Sequence, residues 1–249
     1  MKAMILAAGL GTRLHPLTSD RPKALVEVAG RTLLEITLRR LRAFGVTDVV
    51  VNTHHYADLV HDYLHACDFG MRIEISHEDV LLDTGGGLKH AARFFLAPGS
   101  DLDAPFILHN VDVLSSIDLA QMIRFHTEQR ALATLAVQDR ATSRYLLFDE
   151  NAELCGRRAG RDGAVEIARP AAHFTALAFS GVHILSPRIL EKMEERNSFS
   201  IIASYLRLAA NMERIVAFPV DQYYWRDLGR PESILQAERD LNDGTYSVL

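Results

Sequence analysis

The sequence predicts an α/β fold, a three-layer α/β/α sandwich built on a mostly parallel mixed sheet. Three observations lead to this prediction. Strand-like and helix-like segments alternate through the first half of the chain, the first strand-like segment is apolar and runs directly into a glycine loop, and the second half is richer in strands. Repeated βαβ units place consecutive strands in parallel, and helices then cover both faces of the sheet.

The segments of the first half follow two periodicities. Apolar runs predict strands, and apolar residues at helical spacing predict helices. In the first predicted helix the shared face consists of Leu34, Leu38 and Leu41. We predict strands at 3–7, 47–53, 71–76 and 105–111, and helices at 32–44, 56–66, 86–96 and 118–128.

The second half of the chain has a different pattern. The sequences DENAE and GRDGA mark turns, which divide residues 131–149 and 152–168 into strands and hairpins. The remaining predicted elements are a strand at 174–185, helices at 187–195 and 200–210, a strand at 214–219 and a helix at 231–242. Because no linker separates the halves, we predict one domain over 1–249, with its halves at 1–130 and 131–249.

Composition and charge exclude several classes of protein. The net charge of −5 and the scattered basic residues provide no cationic surface for nucleic acid. Cys67 and Cys155 are too few and too far apart for a disulfide framework or a cysteine zinc site. The apolar start MKAMILAAG is too short for a signal peptide or a membrane span. We therefore expect a cytoplasmic protein that binds neither nucleic acid nor membrane.

The stretch MILAAGLGTRLHPLTSDRPKAL predicts a phosphate site. Gly9 and Gly11 follow the first strand, where α/β sheets commonly bind phosphate, and glycine permits close approach of backbone N–H groups. The dinucleotide pattern GxGxxG fails because Leu14 stands in place of the third glycine, and the Walker pattern fails because no lysine follows the second glycine. A glycine loop supplemented by the cations Arg13 and Lys23 remains.

This stretch resembles the opening motif of the sugar-1-phosphate nucleotidyltransferases, AAGxGTRLxPLTxxxPKxL, and matches it at each fixed position. The resemblance continues through LLDTGGGL, NVD and WRDLG, and so spans nearly the whole chain. It is strongest to short bacterial members, such as the N-acetylmuramate-1-phosphate uridylyltransferases and the heptose-1-phosphate guanylyltransferases. The resemblance implies a Rossmann-like nucleotide-diphospho-sugar transferase fold without a C-terminal β-helix.

The resemblance also implies a reaction. An oxygen of a sugar 1-phosphate attacks the α-phosphorus of an NTP, with UTP or GTP favoured, and pyrophosphate leaves. The product is an NDP-sugar for cell-wall or surface-polysaccharide synthesis. The nucleophile needs no general base, because a phosphate monoester with a second pKa of about 6 is mostly dianionic near neutral pH. Residues 1–130 would bind the nucleotide, residues 131–249 would bind the sugar phosphate, and the protein would be a monomer or small homo-oligomer.

The family pattern assigns residues to roles at this site. Asp112 ends an apolar strand, where α/β sheets place their sites, and three consecutive glycines indicate that something lies close to their backbone. By resemblance, the catalytic residues are Arg13, Lys23 and Asp112, and Mg²⁺ is the cofactor, bound by Asp112 and Asp227. The nucleotide-binding residues are Ala8, Gly9, Gly11, Thr12, Arg13, Lys23, Gly85 and Gly86. The sugar-phosphate-binding residues are Asn110, Glu166 and Arg169, and Asp118 is predicted to cap the helix at 118–128 instead of binding metal.

Two alternatives stay open at the level of sequence. Transfer of a cytidylyl group to phosphocholine would need an aromatic cage for the quaternary ammonium, for which Tyr223, Tyr224 and Trp225 are available. A catalytically silent nucleotide-sugar-binding regulator would be expected to lack Lys23 or a metal-binding aspartate, and this chain has all of them. An NAD-dependent oxidoreductase is disfavoured, because the third glycine is missing and the second strand ends without an acidic residue.

Overall fold

A computed structural model of the chain describes residues 1–99 and 101–246. Strands and helices alternate through the first half as predicted. Its strands are β1 Lys2–Leu6, β2 Glu27–Val28, β3 Arg31–Thr32, β4 Asp48–Thr53, β5 Arg72–His77, β6 Phe106–Asn110 and β7 Val113–Ser115. Its helices are α1 Leu33–Ala43, α2 Ala57–Ala66, α3 Asp83–His90, α4 Ala92–Phe95 and α5 Leu119–Glu128.

The second half contributes hairpins and fewer helices, again as predicted. Its strands are β8 Ala133–Gln138, β9 Arg144–Phe148, β10 Leu154–Ala159, β11 Val165–Ile167, β12 Thr175–Leu185, β13 Ile215–Pro219 and β14 Trp225–Asp227. Its helices are α6 Arg188–Glu191, α7 Ile201–Ala210 and α8 Pro231–Asn242. None of the helices in the described ranges is both long and apolar enough to cross a bilayer.

Strands from both halves of the chain form one mixed sheet. Its main order is β11-β10-β9-β12-β6-β1-β4-β5, and β8 and β13 extend it from β12. The strands β6, β1, β4 and β5 run parallel to one another, whereas β12 runs antiparallel to β6, β8 and β9. The predicted mixed α/β sheet is therefore confirmed. Its four consecutive parallel strands lie in the first half of the chain, and β13 and β8 form a further parallel pair in the second half.

The core lies on both faces of this sheet. In β1, Ala3 and Ile5 belong to one buried cluster and Met4 belongs to the other. In β4, Val51 and Val50 are divided between the two clusters in the same way. Because successive side chains of a strand point to opposite faces, a strand covered on both sides must be apolar throughout. This explains the continuous apolar runs that predicted these strands.

β12 changes partner along its length, and this opens a gap in the sheet. Its residues 175–178 pair with β9, and its residues 182–185 pair with β6. β8 pairs along both parts of β12, so β9 and β6 follow one another on the opposite edge. Between them lies Gly181, whose φ of +76° belongs to the left-handed region that favours glycine. The end of β6 at Asn110 therefore pairs with Leu6 of β1 on one side and lies next to the unpaired residue Gly181 on the other.

Two element boundaries differ from the prediction. The helix predicted at 86–96 begins earlier, at Asp83, and is divided into α3 and α4. Its early start is stabilised by Glu78, whose Oε2 accepts the backbone N–H of Leu82 at 2.9 Å. The helix predicted at 187–195 is reduced to α6, and the short pair β7–β14 was not predicted.

The predicted cap of α5 is confirmed. The Asp118 Oδ1 atom accepts the backbone N–H of Gln121 at 2.9 Å, which satisfies one of the free donors in the first turn. The α1 helix begins in the same manner, with Thr32 Oγ1 accepting the N–H of Glu35 at 3.0 Å. The predicted apolar face of α1 is buried, with Leu34, Leu38 and Leu41 fully covered.

Three histidines are buried within the fold. Burial lowers the pKa of His109 to about 4, with the nearby Arg40 charge as a second cause. Burial also lowers the pKa of His126 to about 4, and that of His183 to about 3. His126 lies between the hydroxyls of Thr134 and Ser186, at 2.9 and 3.0 Å. All three rings are therefore neutral in the folded protein at pH 6.

We expect the free energy of unfolding to fall as the pH falls from about 6.5 toward 4. In this interval the unfolded chain gains a proton at each of these histidines and the folded chain does not. Each histidine then removes about 1.4 kcal/mol for every pH unit below its unfolded pKa. Urea unfolding at pH 7.5, 6.0 and 5.0 measures the change in the free energy of unfolding with pH. In His126→Gln this change should be smaller by the contribution of one histidine. A change of the same size in the variant would contradict the assignment.

Candidate active site

The carboxyl ends of β1, β4 and β6 meet at one edge of the parallel part of the sheet. The glycine loop leaves β1 at this edge, and Asn52 is the penultimate residue of β4 beside it. Asn110 and Asp112 leave β6 there as well. The topology alone therefore gathers the first loop and the NVD segment at the place where α/β sheets bind ligands.

Lys23 and Asp112 form an ion pair at the centre of this edge. The Lys23 Nζ atom donates to Asp112 Oδ2, and only 13% of each side chain is exposed. Lys23 begins a 3₁₀ turn directly after Pro22, and Asp112 lies in the turn that connects β6 with β7. Residues separated by 89 positions in the sequence are thus held in direct contact.

Asp227 and Arg13 complete the charged group. β14 pairs with β7, which aligns Asp227 with Val113, and the N–H of Leu228 donates to the Asp112 carbonyl at 2.8 Å. A methyl group added to Gly229 would lie 2.7 Å from both Arg13 Nη2 and Asp227 Oδ1. These two charged groups are therefore neighbours, and the first loop contacts the WRDLG segment. Four of the predicted residues converge from three parts of the chain: Arg13, Lys23, Asp112 and Asp227.

The first loop is held by its own backbone and by Thr18. Gly11 has a φ of +65°, and a methyl group there would lie 3.0 Å from Thr18 and 3.1 Å from the Lys23 side chain. The Thr18 hydroxyl donates to the Gly11 carbonyl at 3.0 Å. Thr12 and Arg13 follow in an exposed 3₁₀ turn, as a ligand-facing position requires. The positive φ and the close approach of Thr18 and Lys23 therefore explain why residue 11 is a glycine.

The fold of the protein does not itself require glycine at position 9. A methyl group at Gly9 would meet no atom within 4 Å, and its φ is not in the left-handed region. The residue is exposed at the mouth of the site. A glycine that the fold does not require is expected where a ligand approaches the backbone closely.

We expect Gly9→Ala to fold normally and to raise the KM for the nucleotide by roughly tenfold. The change should leave the urea midpoint unchanged, because the added methyl group meets no protein atom. The matched control is Gly87→Ala, whose methyl group would lie 2.6 Å from Glu78 Oε1 and 2.7 Å from Asn52 Nδ2 and should lower stability. Unaltered nucleotide kinetics in Gly9→Ala would refute a ligand contact at this position.

Sequence reasoning missed a buried network that joins the first loop to α3. The Asn52 Oδ1 atom accepts the N–H groups of Ala7 at 2.6 Å and Ala8 at 3.3 Å. Its Nδ2 atom donates to Glu78 Oε1 at 2.7 Å, and Asn52 and Glu78 are 3% and 1% exposed. Polar side chains this deeply buried indicate a positioning role, but neither residue belongs to a recognisable local motif. The N–H of Ala8 is therefore committed to Asn52.

The structure gives a different explanation for the glycines of LLDTGGGL. The N–H groups of Gly85 and Gly86 both donate to the Phe199 carbonyl, at 2.9 and 3.2 Å. A methyl group at Gly85 would lie 2.4 Å from the Phe199 ring, and one at Gly86 would lie 2.7 Å from the Asn197 carbonyl. The close neighbour of this backbone is protein, and both N–H groups are engaged by Phe199, while the nucleotide contact predicted for Gly85 and Gly86 stays a prediction.

The structure does not bring Glu166 and Arg169 to the charged group. Glu166 lies on the outermost strand β11, where its exposed carboxylate accepts from Arg157 at 2.6 Å. The Arg169 guanidinium is 8% exposed and donates to Asp149 at 2.7 Å and to Glu153 at 2.6 Å. A guanidinium neutralised by two carboxylates is a structural ion group, which disagrees with the predicted role in sugar-phosphate binding.

Asn110 does lie beside the site, at the gap in the sheet. Its Oδ1 atom is buried and has no partner in the described residues, and its Nδ2 atom would lie 3.0 Å from a methyl group on Gly181. The fold thus brings an unpartnered acceptor next to Asp112. The sugar-phosphate contact predicted for Asn110 stays a prediction, because this oxygen is covered by the described residues.

The three aromatic residues that a choline cage would need are engaged elsewhere, beginning with Tyr223, whose hydroxyl donates to Gln121 at 2.6 Å. Tyr224 stacks on Tyr246 with ring centroids 4.7 Å apart, and its hydroxyl donates to Asp240 at 2.6 Å. The face of Trp225 is covered by the Arg140 guanidinium, 4.0 Å from the ring centroid. A quaternary ammonium at Trp225 would therefore meet a positive charge, which disfavours the phosphocholine alternative.

Solved structures share this architecture. HddC from Yersinia pseudotuberculosis has a TM-score of 0.74 at 24% identity, with 96% of this chain and 99% of that chain covered. The UDP-glucose pyrophosphorylase from Acinetobacter baumanii has a TM-score of 0.80 at 17% identity, with 99% and 95% covered. At these identities the likeness establishes the fold, and it agrees with the expected nucleotide-diphospho-sugar transferase type.

Comparison with known sequences identifies the family as well as the fold. The chain is 36% identical over 247 residues to the N-acetylmuramate alpha-1-phosphate uridylyltransferase of Caulobacter vibrioides, with 96% of each chain covered. It is 30% identical over 240 residues to the mannose-1-phosphate guanyltransferase beta-B of Xenopus laevis, with 94% of this chain and 63% of that protein covered. Residues 2–244 match the family described as Nucleotidyl transferase. The chain therefore belongs to the nucleotidyl transferase family.

Proposed function

We propose that this protein transfers the uridylyl group of UTP to a sugar 1-phosphate and releases pyrophosphate, in a Mg²⁺-dependent reaction. The observation that carries the proposal is the convergence of Arg13 and Lys23 with Asp112 and Asp227 at the carboxyl ends of β1 and β6. The choice of UTP is supported by the uridylyltransferase from Caulobacter vibrioides, which the chain matches over 96% of that protein's length. GTP is the second nucleotide to test, because guanyltransferases are also among the relatives.

The positive groups act on the phosphates. An already ionised sugar phosphate needs no base, so catalysis depends on holding two polyanions together and balancing their charge. The loop from Gly9 to Arg13 would bind the triphosphate and stabilise pyrophosphate as it leaves. Lys23 would exchange its contact with Asp112 for one between the attacking phosphate and the α-phosphate.

The two aspartates suit a Mg²⁺ ion bound together with substrate phosphates. Across residues 1–99 and 101–246 no cluster of three or more His, Cys, Asp or Glu side chains could hold a metal by itself. Mg²⁺ typically uses one or two carboxylates and takes its other ligands from phosphates and water. Asp112 and Asp227 provide such a pair, and Mg²⁺ bound there would neutralise charge on the reacting phosphates.

Pyrophosphate release tests the proposal. The wild-type protein is assayed with Mg²⁺ and each of four NTPs, against the 1-phosphates of N-acetylmuramic acid, N-acetylglucosamine, glucose, mannose and a heptose. We expect release with UTP and at least one sugar 1-phosphate, and loss of release when EDTA removes the metal. Release with every NTP except UTP would refute the uridylyl assignment. Nucleotide or nucleotide-sugar binding without release from any pair would instead support a silent binding protein.

A further inference from the structure

Two histidines form a close pair on the exposed face of α2. His61 and His65 are four residues apart, and residues at this spacing lie on one face of a helix. Their Nε2 atoms are 3.0 Å apart, and their ring centroids are 4.2 Å apart. Both residues are exposed, with 56% of the His61 side chain accessible. The two rings therefore present their nitrogens to one another and to solvent.

The separation of these nitrogens suits one metal ion bound between the rings. An imidazole nitrogen binds Zn²⁺ at about 2.0–2.1 Å, so two such ligands at an angle of about 90–109° lie about 2.9–3.3 Å apart. The observed distance of 3.0 Å lies within this range. Zinc enzymes use the same spacing of two histidines on one helix face. Both nitrogens can therefore bind one ion with little rearrangement of the side chains.

Asp62 favours the histidine tautomer that metal binding needs. Its Oδ1 atom lies 3.7 Å from the Nδ1 atom of His61. A carboxylate that faces one ring nitrogen favours the proton on that nitrogen and leaves the lone pair on the other. Histidines that bind metals commonly have such a carboxylate beside the second nitrogen. The Nε2 atom that faces His65 is therefore prepared to bind a cation.

The opposite face of α2 anchors the helix that carries the pair. Val60 is 1% exposed and belongs to the core. The Tyr63 hydroxyl accepts from Thr32 Oγ1 and donates to Glu35 Oε2, both at 3.1 Å. These contacts hold α2 against the start of α1. The histidine pair therefore lies on a fixed helix and not on a loop.

We infer that His61 and His65 bind one divalent transition-metal ion, of the class of Cu²⁺, Ni²⁺ and Zn²⁺, on the surface of α2. Imidazole suits these ions, whereas Mg²⁺ prefers oxygen ligands such as Asp112 and Asp227. The pair fills two coordination positions and water would fill the others, since residues 1–99 and 101–246 contain no group of three such ligands. Affinity should be higher for Cu²⁺ than for Ni²⁺ or Zn²⁺. The inference does not depend on the proposed nucleotidyl transfer.

Calorimetric titration of the tag-free protein with Ni²⁺, in excess Mg²⁺, tests this site. We expect one saturable site, which His65→Ala should weaken by at least about tenfold, because losing a ligand should cost no less than losing a residue that orients one. The double variant His65→Ala, Ala66→His keeps the number of histidines but moves the second ring about 100° around the helix, so it should lose the same affinity. The matched control His90→Gln changes an exposed histidine on α3 and should leave binding intact.

Several results would overturn the inference. These are the absence of saturable Ni²⁺ binding in the wild type, and wild-type affinity in His65→Ala or in the double variant. Electron paramagnetic resonance of bound Cu²⁺ gives a second test that keeps both histidines. It uses Cys67→Ser, because the exposed Cys67 thiol is a competing ligand. We expect coupling of Cu²⁺ to two imidazole nitrogens, and coupling to one nitrogen or none would refute the pair as ligands.

Discussion

Replacing Lys23 with alanine is expected to lower kcat/KM by roughly 10²-fold or more. Lys23 is a largely buried ammonium group in contact with Asp112, and its 3₁₀ turn packs against Gly11. Among residues 1–99 and 101–246 the other lysines are engaged elsewhere: Lys2 donates to Phe94, Lys89 to Glu195 and Lys192 to Glu213. Without the ammonium, the two phosphates would approach each other with their repulsion uncompensated at the α-phosphorus. Steady-state pyrophosphate release at saturating Mg²⁺ measures the effect.

A second readout separates a chemical role of Lys23 from a structural one. Lys23 donates to the Asp112 carboxylate that Mg²⁺ is proposed to use. Lys23→Ala should therefore bind Mn²⁺ more tightly than the wild type when no nucleotide is present, as measured by electron paramagnetic resonance. Lys23→Arg should keep Mn²⁺ binding weak and recover only part of the activity, because a planar guanidinium differs in shape from an ammonium. Weaker Mn²⁺ binding in Lys23→Ala would contradict this competition.

Asp112→Asn is expected to lower kcat by roughly 10²- to 10³-fold, since the change removes one of the two carboxylates that we propose bind Mg²⁺ but keeps the size of the side chain. The metal dependence should change with it, so that half-maximal activity needs a higher Mg²⁺ concentration. Activity measured across a Mg²⁺ titration with UTP and the preferred sugar 1-phosphate checks both effects.

The chain offers a matched control for this substitution. Asp118, six residues further on, caps α5 through its side chain, and asparagine caps a helix about as well as aspartate. Asp118→Asn should therefore retain wild-type kinetics and nearly the same stability. A similar loss of kcat in both variants would show that the effect of Asp112→Asn comes from disturbance of the fold and not from loss of a metal ligand.

The part of the site that the sequence predicted depends on local patterns. The Gly9–Arg13 loop follows an apolar strand, and strand ends in α/β folds meet at one edge. The helical face of α1 was predictable from spacing because Leu34, Leu38 and Leu41 all contact the core. These features need only the period of a strand or helix and the position of the turn that follows it.

The features of the fold and of the site that the sequence did not predict depend on contacts between distant segments. The β7–β14 pairing that brings Asp227 to Asp112 joins three-residue strands, which are too short to show a periodicity. The approach of Phe199 to Gly85 could not be anticipated either, and the glycines were assigned to a ligand because the neighbouring chain was unknown. Arg169 was assigned from a motif position, but the carboxylates that neutralise it come from elsewhere in the second half of the chain.

The Asn52 amide limits how this protein can exchange parts with its relatives. Its oxygen binds the N–H groups of Ala7 and Ala8, and its nitrogen binds Glu78, whose other oxygen fixes the start of α3. The first loop, the end of β4 and the turn at Glu78 therefore depend on one another through the hydrogen bonds of Asn52. A chimera that imports any one of them beside a different residue 52 would bury polar groups without partners. A graft from a relative would therefore have to move all three segments together.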